Sequence, residues 1–506
     1  METWFIAVLS LCIIFLIRAT FSSLTNNKPT VNLPPGPPHI PIITTLLWLR
    51  KSFSQLEPVL KTLHAKHGPI ITLKIISRPS IFIADHSIAH HALIQNSSIF
   101  SDRPKPFPTS IIMSCNQHTI SSAFYGATWR TLRHNLASEM LHPSKIKSFS
   151  DIRKWVLDTL IIRLKSASES EYADSVTVIP HFKYAMFCLL VFMCFGERIN
   201  HEKINDIDRV QQSFLLSISK INILNFWPKV TRILLHKRWE EFLKLRKDQE
   251  DVLLPLIRAR KQAKESRLNN LNTYVDTLLE LELPEEKRKL NEDEMVSLCL
   301  EFLGAGTDTT STALQWIMAN LVKYPDVQRR IVEEIRDVMG GDDNGEKKEV
   351  KEEDLHKFQY LKCVILEGLR RHPPGHFVLP HAVTEDVVLN GYLVPKTGVV
   401  NFLVAQMGWD SRVWEDPMEF KPERFLKDEM FDITGKKEIK MMPFGAGRRI
   451  CPGYTLALLH LEYFVANLVW NFDWKVPEGG DVDLSETSEF TVVMTNPLKV
   501  HISLRM

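Results

Sequence analysis

From Trp4 to Ile17 every position is apolar except Ser10 and Cys12. Arg18 breaks the run and Ala19-Thr20-Phe21 extend it weakly. Counted through Phe21 it reaches the ~20 residues that cross a bilayer, with Arg18 able to snorkel to the interface. A cleaved signal peptide would want a basic start, and Glu2 stands there instead. Arg18, Lys28, Arg50 and Lys51 all follow the segment, which predicts that the rest of the chain stays in the cytosol. Thr25 to Thr30 is polar, and Leu33-Pro34-Pro35-Gly36-Pro37-Pro38 is too proline-dense for helix or central strand, so it reads as a stiff extended spacer. Leu56 to His67 has a helical pattern closed by Gly68-Pro69, and the β-rich runs Ile70–Ile76 and Ser80–Ala84 flank a turn at Ser77-Arg78-Pro79. Beyond them helical patterns dominate. Arg238 to Lys264 alternates charges like a solvated helix face. Glu292 to Lys323 reads as one long helix capped by Asn291. Asn225-Phe226-Trp227-Pro228 is an aromatic turn between helices, and Asp342 to Glu353 is a polar loop. Three parts result: residues 1–24, a membrane anchor; 25–40, a polar and proline-rich hinge; and 41–506, the body.

Composition narrows the function. The 506 residues are 44% hydrophobic and 24% charged, with a net charge of +2, too small to suggest a nucleic-acid partner. Seven cysteines, with no CxxC pair, argue against a disulfide framework and for a reducing compartment.

One cysteine stands apart. Cys451 lies in Pro443-Phe444-Gly445-Ala446-Gly447-Arg448-Arg449-Ile450-Cys451-Pro452-Gly453, where Gly445 and Gly453 allow tight turns beneath a flat group. Amides at the start of the helix that follows, from Tyr454 on, can donate to the sulfur. The loop reads as a haem-thiolate site, the alternative being a buried structural cysteine in a glycine-rich turn. A second anomaly lies inside the long helix, at Ala305-Gly306-Thr307-Asp308-Thr309-Thr310. Glycines 304 and 306 each cost about 1 kcal/mol against alanine there, and such a local violation marks a candidate functional site. A missing Cβ at Gly306 lets the helix pass close to a flat cofactor, and hydroxyls that compete for backbone bonds can open the helix.

The motifs carry a family resemblance. Phe444, Gly447, Arg449, Cys451 and Gly453 match F-x-x-G-x-R-x-C-x-G, which resembles the haem loop of the cytochrome P450 family. Trp129 and Arg133 match its W-x-x-x-R, Ala305 to Thr310 its A-G-x-[DE]-T-[TS], Glu367 and Arg370 its E-x-x-R, and Pro422-Glu423-Arg424-Phe425 its P-E-R-F. The hinge and overall wording look most like plant microsomal members, close to the plant 89A-type subfamily. The resemblance implies a mainly α fold with a small β-rich lobe, preceded by a single N-terminal transmembrane helix. It implies haem b, with Cys451 as axial ligand and Phe444 beside the sulfur. Arg449, Trp129 and Arg133 would hold its propionates. His381, where many relatives carry arginine, would join them. Ala305 and Gly306 would lie against the ring. Thr309 would be the hydroxyl and Asp308 the acid of a proton relay. Glu367, Arg370 and Arg424 would form a buried structural triad.

The activity implied is monooxygenation of a lipophilic or amphipathic small molecule with O2 and NADPH. Electrons would come through NADPH–cytochrome P450 reductase at the cytosolic face of the endoplasmic reticulum membrane. Arg130, Arg133, Lys437, Lys440 and Arg448 would offer that acidic partner a basic face. Residues 104–124, Phe302, Ala305, 375–379 and 490–493 would line the substrate pocket, and the Asn225–Pro228 region would dip into the bilayer, core packing of the same aromatics being the alternative. Two alternatives remain: an enzyme of the same fold that rearranges peroxides, and a non-catalytic haem-binding sensor.

Overall fold

Most of the chain is helix, and the cap and turn residues mark where each helix stops. The computed structural model describes residues 32–38, 53–75, 78–169, 175–266, 271–340, 348–426 and 431–505. The predicted anchor over 1–24 lies outside these residues, and no described helix is long and apolar enough to cross a membrane. In chain order, the elements used below are α1 (Phe53–His67), β1 (Ile70–Ile75), β2 (Arg78–Ile83), α2 (Ala127–Asn135), α3 (Ile179–Phe195), α4 (His201–Ile221), α5 (His236–Glu265), α6 (Glu292–Lys323), α7 (Gln359–Arg371), β3 (Val399–Phe402), α8 (Tyr454–Asn471), β4 (Glu486–Ser488) and β5 (Val492–Met494). Small sheets complete a mostly helical fold.

The chain forms two compact units. The smaller comprises Met1–Pro104, Phe377–Met407 and Thr434–Arg448. There β1 and β2 pair antiparallel, and β3 runs parallel to β2. Side chains alternate across this sheet. Ile70, Ile81, Ile83, Val400 and Phe402 enter one core with Leu93 and Met442. Ile71, Leu73, Phe82 and Leu403 pack on Leu60 of α1 from the other face. The proline run forms neither helix nor strand, and it is not a free spacer. Pro35 O accepts from Thr72 N at 2.8 Å and Asn32 O from Leu393 N at 3.1 Å. A Cβ on Gly36 would lie 1.9 Å from Thr72 O, so only glycine fits where the run crosses β1.

The larger unit comprises Lys105–His376, Gly408–Ile433 and Arg449–Met506. Its centre is α6, opened by a reciprocal box in which Asn291 Oδ1 accepts from Glu294 N and Glu294 Oε2 from Asn291 N, both at 2.8 Å. Helix α3 packs along it and is apolar on nearly every side, as a helix enclosed by others must be. Helix α5 departs from the solvated face expected of it. Arg246, Gln249 and Arg260 are buried, and Arg260 Nε reaches both Asp276 oxygens at 3.0 Å. Alternating charge hides a buried cation when its partner lies on another helix. Between α4 and α5, Trp227 is 77% exposed. Part of the predicted polar loop also departs from expectation, since Glu352–Lys357 forms a 3-10 turn.

Candidate active site

Cys451 precedes α8, whose N-cap is Gly453. Burial pushes its thiol up, and the Gly453 amide and the Arg133 guanidinium pull it the other way. The net direction is upward, so the helix amides expected to keep the sulfur ionised are outweighed by burial. Such a thiol ionises when a metal cation meets it. Burial in turn depresses Arg133, on which Cys451 is the opposing charge. No hydrogen bond or ion pair ties the Arg133 side chain to another described residue. On the same face of α2, Trp129 is buried and its Nε1 has no partner among the described residues. An unspent indole donor and a desolvated guanidinium beside a partly buried thiol fit haem, which brings carboxylates and a metal together.

Arg449 is also oriented. Its Cζ lies 4.5 Å over the Trp129 ring, Nη2 donates to Ala123 O at 2.7 Å and Nη1 to Ile120 O at 3.2 Å. The same turn is gripped from its other end. Glu301 of α6 accepts from Ile120 N at 2.8 Å and Ser121 N at 2.7 Å. The Glu301 carboxylate thus takes up amides, and the Arg449 guanidinium carbonyls, of the same turn. No motif pointed to Glu301.

In the smaller unit, the loop before the cysteine turns through left-handed backbone at Gly445 (φ 70°) and Gly447 (φ 72°). A Cβ on Gly447 would meet Leu93 O at 2.0 Å. Phe444 is half-buried. His381 is buried, pairs through its backbone with Val400, stands edge-on to Phe402 and sets Nδ1 2.6 Å from Phe100 O. One ring nitrogen is therefore committed to the protein.

On α6, Ala305 is exposed and Thr309 half-buried, within a helix otherwise largely enclosed. Thr309 Oγ1 donates to Ala305 O at 2.6 Å, the back-bonding that the threonine-rich run suggested. Asp308 does not stand alone. Lys183 of α3 sits 3.2 Å from Asp308 Oδ1 and 3.1 Å from Asp208 Oδ1 of α4. Burial raises the Asp308 pKa and the Lys183 ammonium opposes it. Gly306 requires a correction. A Cβ there would strike Leu190 Cδ1 of α3 at 2.6 Å, so its small size serves the packing of α3 on α6 rather than the approach of a cofactor.

The expected brace assembles on α7. Glu367 Oε2 lies 2.7 Å from Arg370 Nε, and Glu367 Oε1 lies 3.1 Å from Arg424 Nε and 2.8 Å from Lys421 N. Arg370 Nη1 donates to Gly408 O at 2.6 Å and Pro417 O at 2.7 Å. A second brace holds the β4–β5 hairpin, whose tip was expected to line the pocket. Trp316 Nε1 donates to Val492 O at 2.8 Å, and Thr312 meets Thr491 at 3.2 Å. His372, stacked 4.0 Å on Trp316, sets Nδ1 2.7 Å from Glu486 Oε1. Burial brings His372 down to about 4. Burial alone would raise Glu486, but hydrogen bonds with His372 and His376 bring it down to about 2.

Comparison with known proteins agrees with these motifs and this fold. Residues 34–503 match the family model described as Cytochrome P450. The chain is 51% identical to Cytochrome P450 89A9 of Arabidopsis thaliana, across 97% of this chain and 98% of that protein. It is 32% identical to isoflavone 2'-hydroxylase of Medicago truncatula, with 98% and 96% covered, and 30% identical to geraniol 8-hydroxylase of Catharanthus roseus, with 97% and 98% covered. A zebra fish cytochrome P450 solved with abiraterone superposes with a TM-score of 0.72 at 22% identity, over 89% of this chain and all of that one, a likeness of fold. With Cys451, Trp129, Arg133, Asp308 and Thr309 placed as described, the chain belongs to the cytochrome P450 family of monooxygenases, in its plant 89A-type branch.

Proposed function

We propose that this chain is a membrane-anchored haem-thiolate enzyme that inserts one atom of O2 into a lipophilic or amphipathic small organic molecule. The anchor would be residues 1–24, the body facing the cytosol at the endoplasmic reticulum, and NADPH electrons would arrive through a membrane-bound diflavin reductase. The observation that carries this reading is the partly buried Cys451 thiol beside the unspent donors of Trp129 and Arg133. The relatives support the substrate class by their names, which describe hydroxylation of geraniol and of an isoflavone.

Haem held through the Cys451 thiolate would supply O2 activation, a chemistry known for cysteine-ligated haem in cytochromes P450. This chain's residues do the rest. Cys451 ligates through Sγ. Trp129 Nε1 and the Arg133 guanidinium hold the propionates, with Arg449 locked beside them over the indole. Thr309 spends its own proton on Ala305 O and so presents oxygen lone pairs, which can accept a proton and relay one. Asp308, with its pKa raised by burial, is the acid that resupplies it, a general-acid role. The acid–alcohol pair argues against the peroxide-rearranging alternative.

The reduced, CO-treated protein should show the red-shifted Soret band of thiolate ligation, and Cys451→Ala should abolish it. A normal band in that variant sinks the assignment. Thr309→Ala should keep haem and the band while sending NADPH electrons to hydrogen peroxide, measured as peroxide formed per NADPH consumed with a diflavin reductase. Unchanged coupling removes Thr309 from the relay. Removing residues 1–24 should release the chain from alkaline-washed membranes.

A further inference from the structure

Gln211 of α4 is 7% exposed. Its Oε1 is fully enclosed with no hydrogen-bond partner, and no described residue bonds its Nε2 either. Which amide atom is oxygen is a matter of assignment, and exchanging them leaves the same shortfall. An enclosed carboxamide without partners is costly where leucine or methionine would cost nothing.

The group is also given room. A Cβ on Gly304 of α6 would lie 2.1 Å from Gln211 Nε2, so glycine is required for the carboxamide to rest on the helix at that level. Glycine in mid-helix is itself unfavourable. Two local costs, an unpartnered carboxamide and a helix glycine, thus sustain one contact. That contact adjoins the exposed Ala305 and lies one turn from Asp308. Asp208, three residues before Gln211 on α4, is engaged with Lys183 of α3, which also holds Asp308, so α4 is tied to the oxygen-activating stretch of α6 through Lys183 at Asp208 and meets it directly at Gln211. Only the group at Gln211 is unspent.

We propose that Gln211 is the polar anchor of the substrate site, its carboxamide recognising a carbonyl, hydroxyl or amide on an otherwise lipophilic substrate; this rests on the monooxygenase reading above. The arrangement selects for molecules with one hydrogen-bonding group held a fixed distance from the oxidised carbon. Orientation gained this way decides which carbon is presented, and a site built around a polar partner rejects the analogue that lacks it.

The test uses the full-length, haem-loaded protein and a matched pair of probes, 4-phenylbutan-2-one and butylbenzene, titrated by the change in the Soret band. In the wild type the ketone should bind more tightly relative to the hydrocarbon, by about fivefold or more, than it does in Gln211→Leu. Gly304→Ala should reproduce the leucine phenotype by displacing the carboxamide. Ligand-free Gln211→Leu should unfold at equal or higher urea, because a structural hydrogen bonder would be missed and an unpartnered anchor would not. Identical probe ratios in wild type and Gln211→Leu, no spectral response to either probe in the wild type, or a marked loss of stability in Gln211→Leu each overturns the proposal. The CO band reports separately on the underlying reading: its presence in all three proteins leaves the haem-thiolate assignment standing whatever Gln211 does.

Discussion

Gly306 and Lys183 show how single residues acquire meaning from what faces them. Gly306→Ala would drive a methyl into Leu190 Cδ1. The expected cost is about 1–3 kcal/mol from overpacking, read by urea unfolding, with the CO band retained because the clash lies toward α3. Lys183 acts on Asp308 through charge. Burial raises the Asp308 pKa and the ammonium works against that rise, so Lys183→Met should raise it further. A protonated-carboxyl infrared band should then persist to higher pH and vanish in the double variant with Asp308→Asn. The stability sign follows the same shift. An acid raised by folding contributes most below its ordinary value, and that contribution is lost as pH rises through the raised one. Lys183, Asp208, Gln211 and Glu301 were not legible in the sequence, because a lone charged or amide side chain has no periodic or spaced signature until another helix closes on it. Cys451, Trp129, Arg133, Asp308 and Thr309 were legible because each lies within a short linear run whose neighbours share its task.

Two braces deserve comparison as elements. Helix α7 carries a fully enclosed carboxylate–guanidinium pair, Glu367 and Arg370. Glu367→Gln leaves Arg370 and Arg424 underpaired and should cost about 3–5 kcal/mol, seen as reduced haem-loaded yield and lower thermal stability. The β4–β5 hairpin is held by a softer, titratable latch. Glu486 is drawn from 4.5 to about 2, so its contribution is present above the ordinary value and is lost as pH falls toward 2. His372 falls from 6.5 to about 4, and the folded protein resists charging it, so stability is also lost as pH drops across that window. Acid unfolding of the wild type should therefore begin below about pH 6.5, and Glu486→Gln should flatten the lower part of the curve by an amount of order 3 kcal/mol. The E-x-x-R spacing advertised the first brace. Nothing advertised the second, whose partners His372 and Glu486 lie far apart in sequence. Helix α5 shows the opposite failure: Arg260 looked like one more surface charge, yet Arg260→Met should destabilise by about 3–5 kcal/mol by stranding buried Asp276.

At the scale of the whole molecule, the long elements were the legible ones. α6 runs over the span its apolar period and Asn291 cap predicted, and β1 and β2 pair as a hairpin, although Arg78 and Pro79, read as turn residues, open β2 opposite Ile75 and Lys74. What sequence order could not convey is that the proline run is stitched to the sheet, through Pro35 to Thr72 and Asn32 to Leu393. For an anchor ending at residue 24, the line paid out before the first stitch runs from residue 25 to 31, or roughly 25 Å at full stretch. With the anchor proposed above, the body would be moored close to its membrane, on a short line with little swing. Ten glycine–serine residues spliced in ahead of Asn32 should slow electron delivery from a membrane-bound reductase while leaving delivery from a soluble chemical reductant unchanged, measured as first-electron reduction under CO. Equal rates in both would mean that the mooring length does not matter.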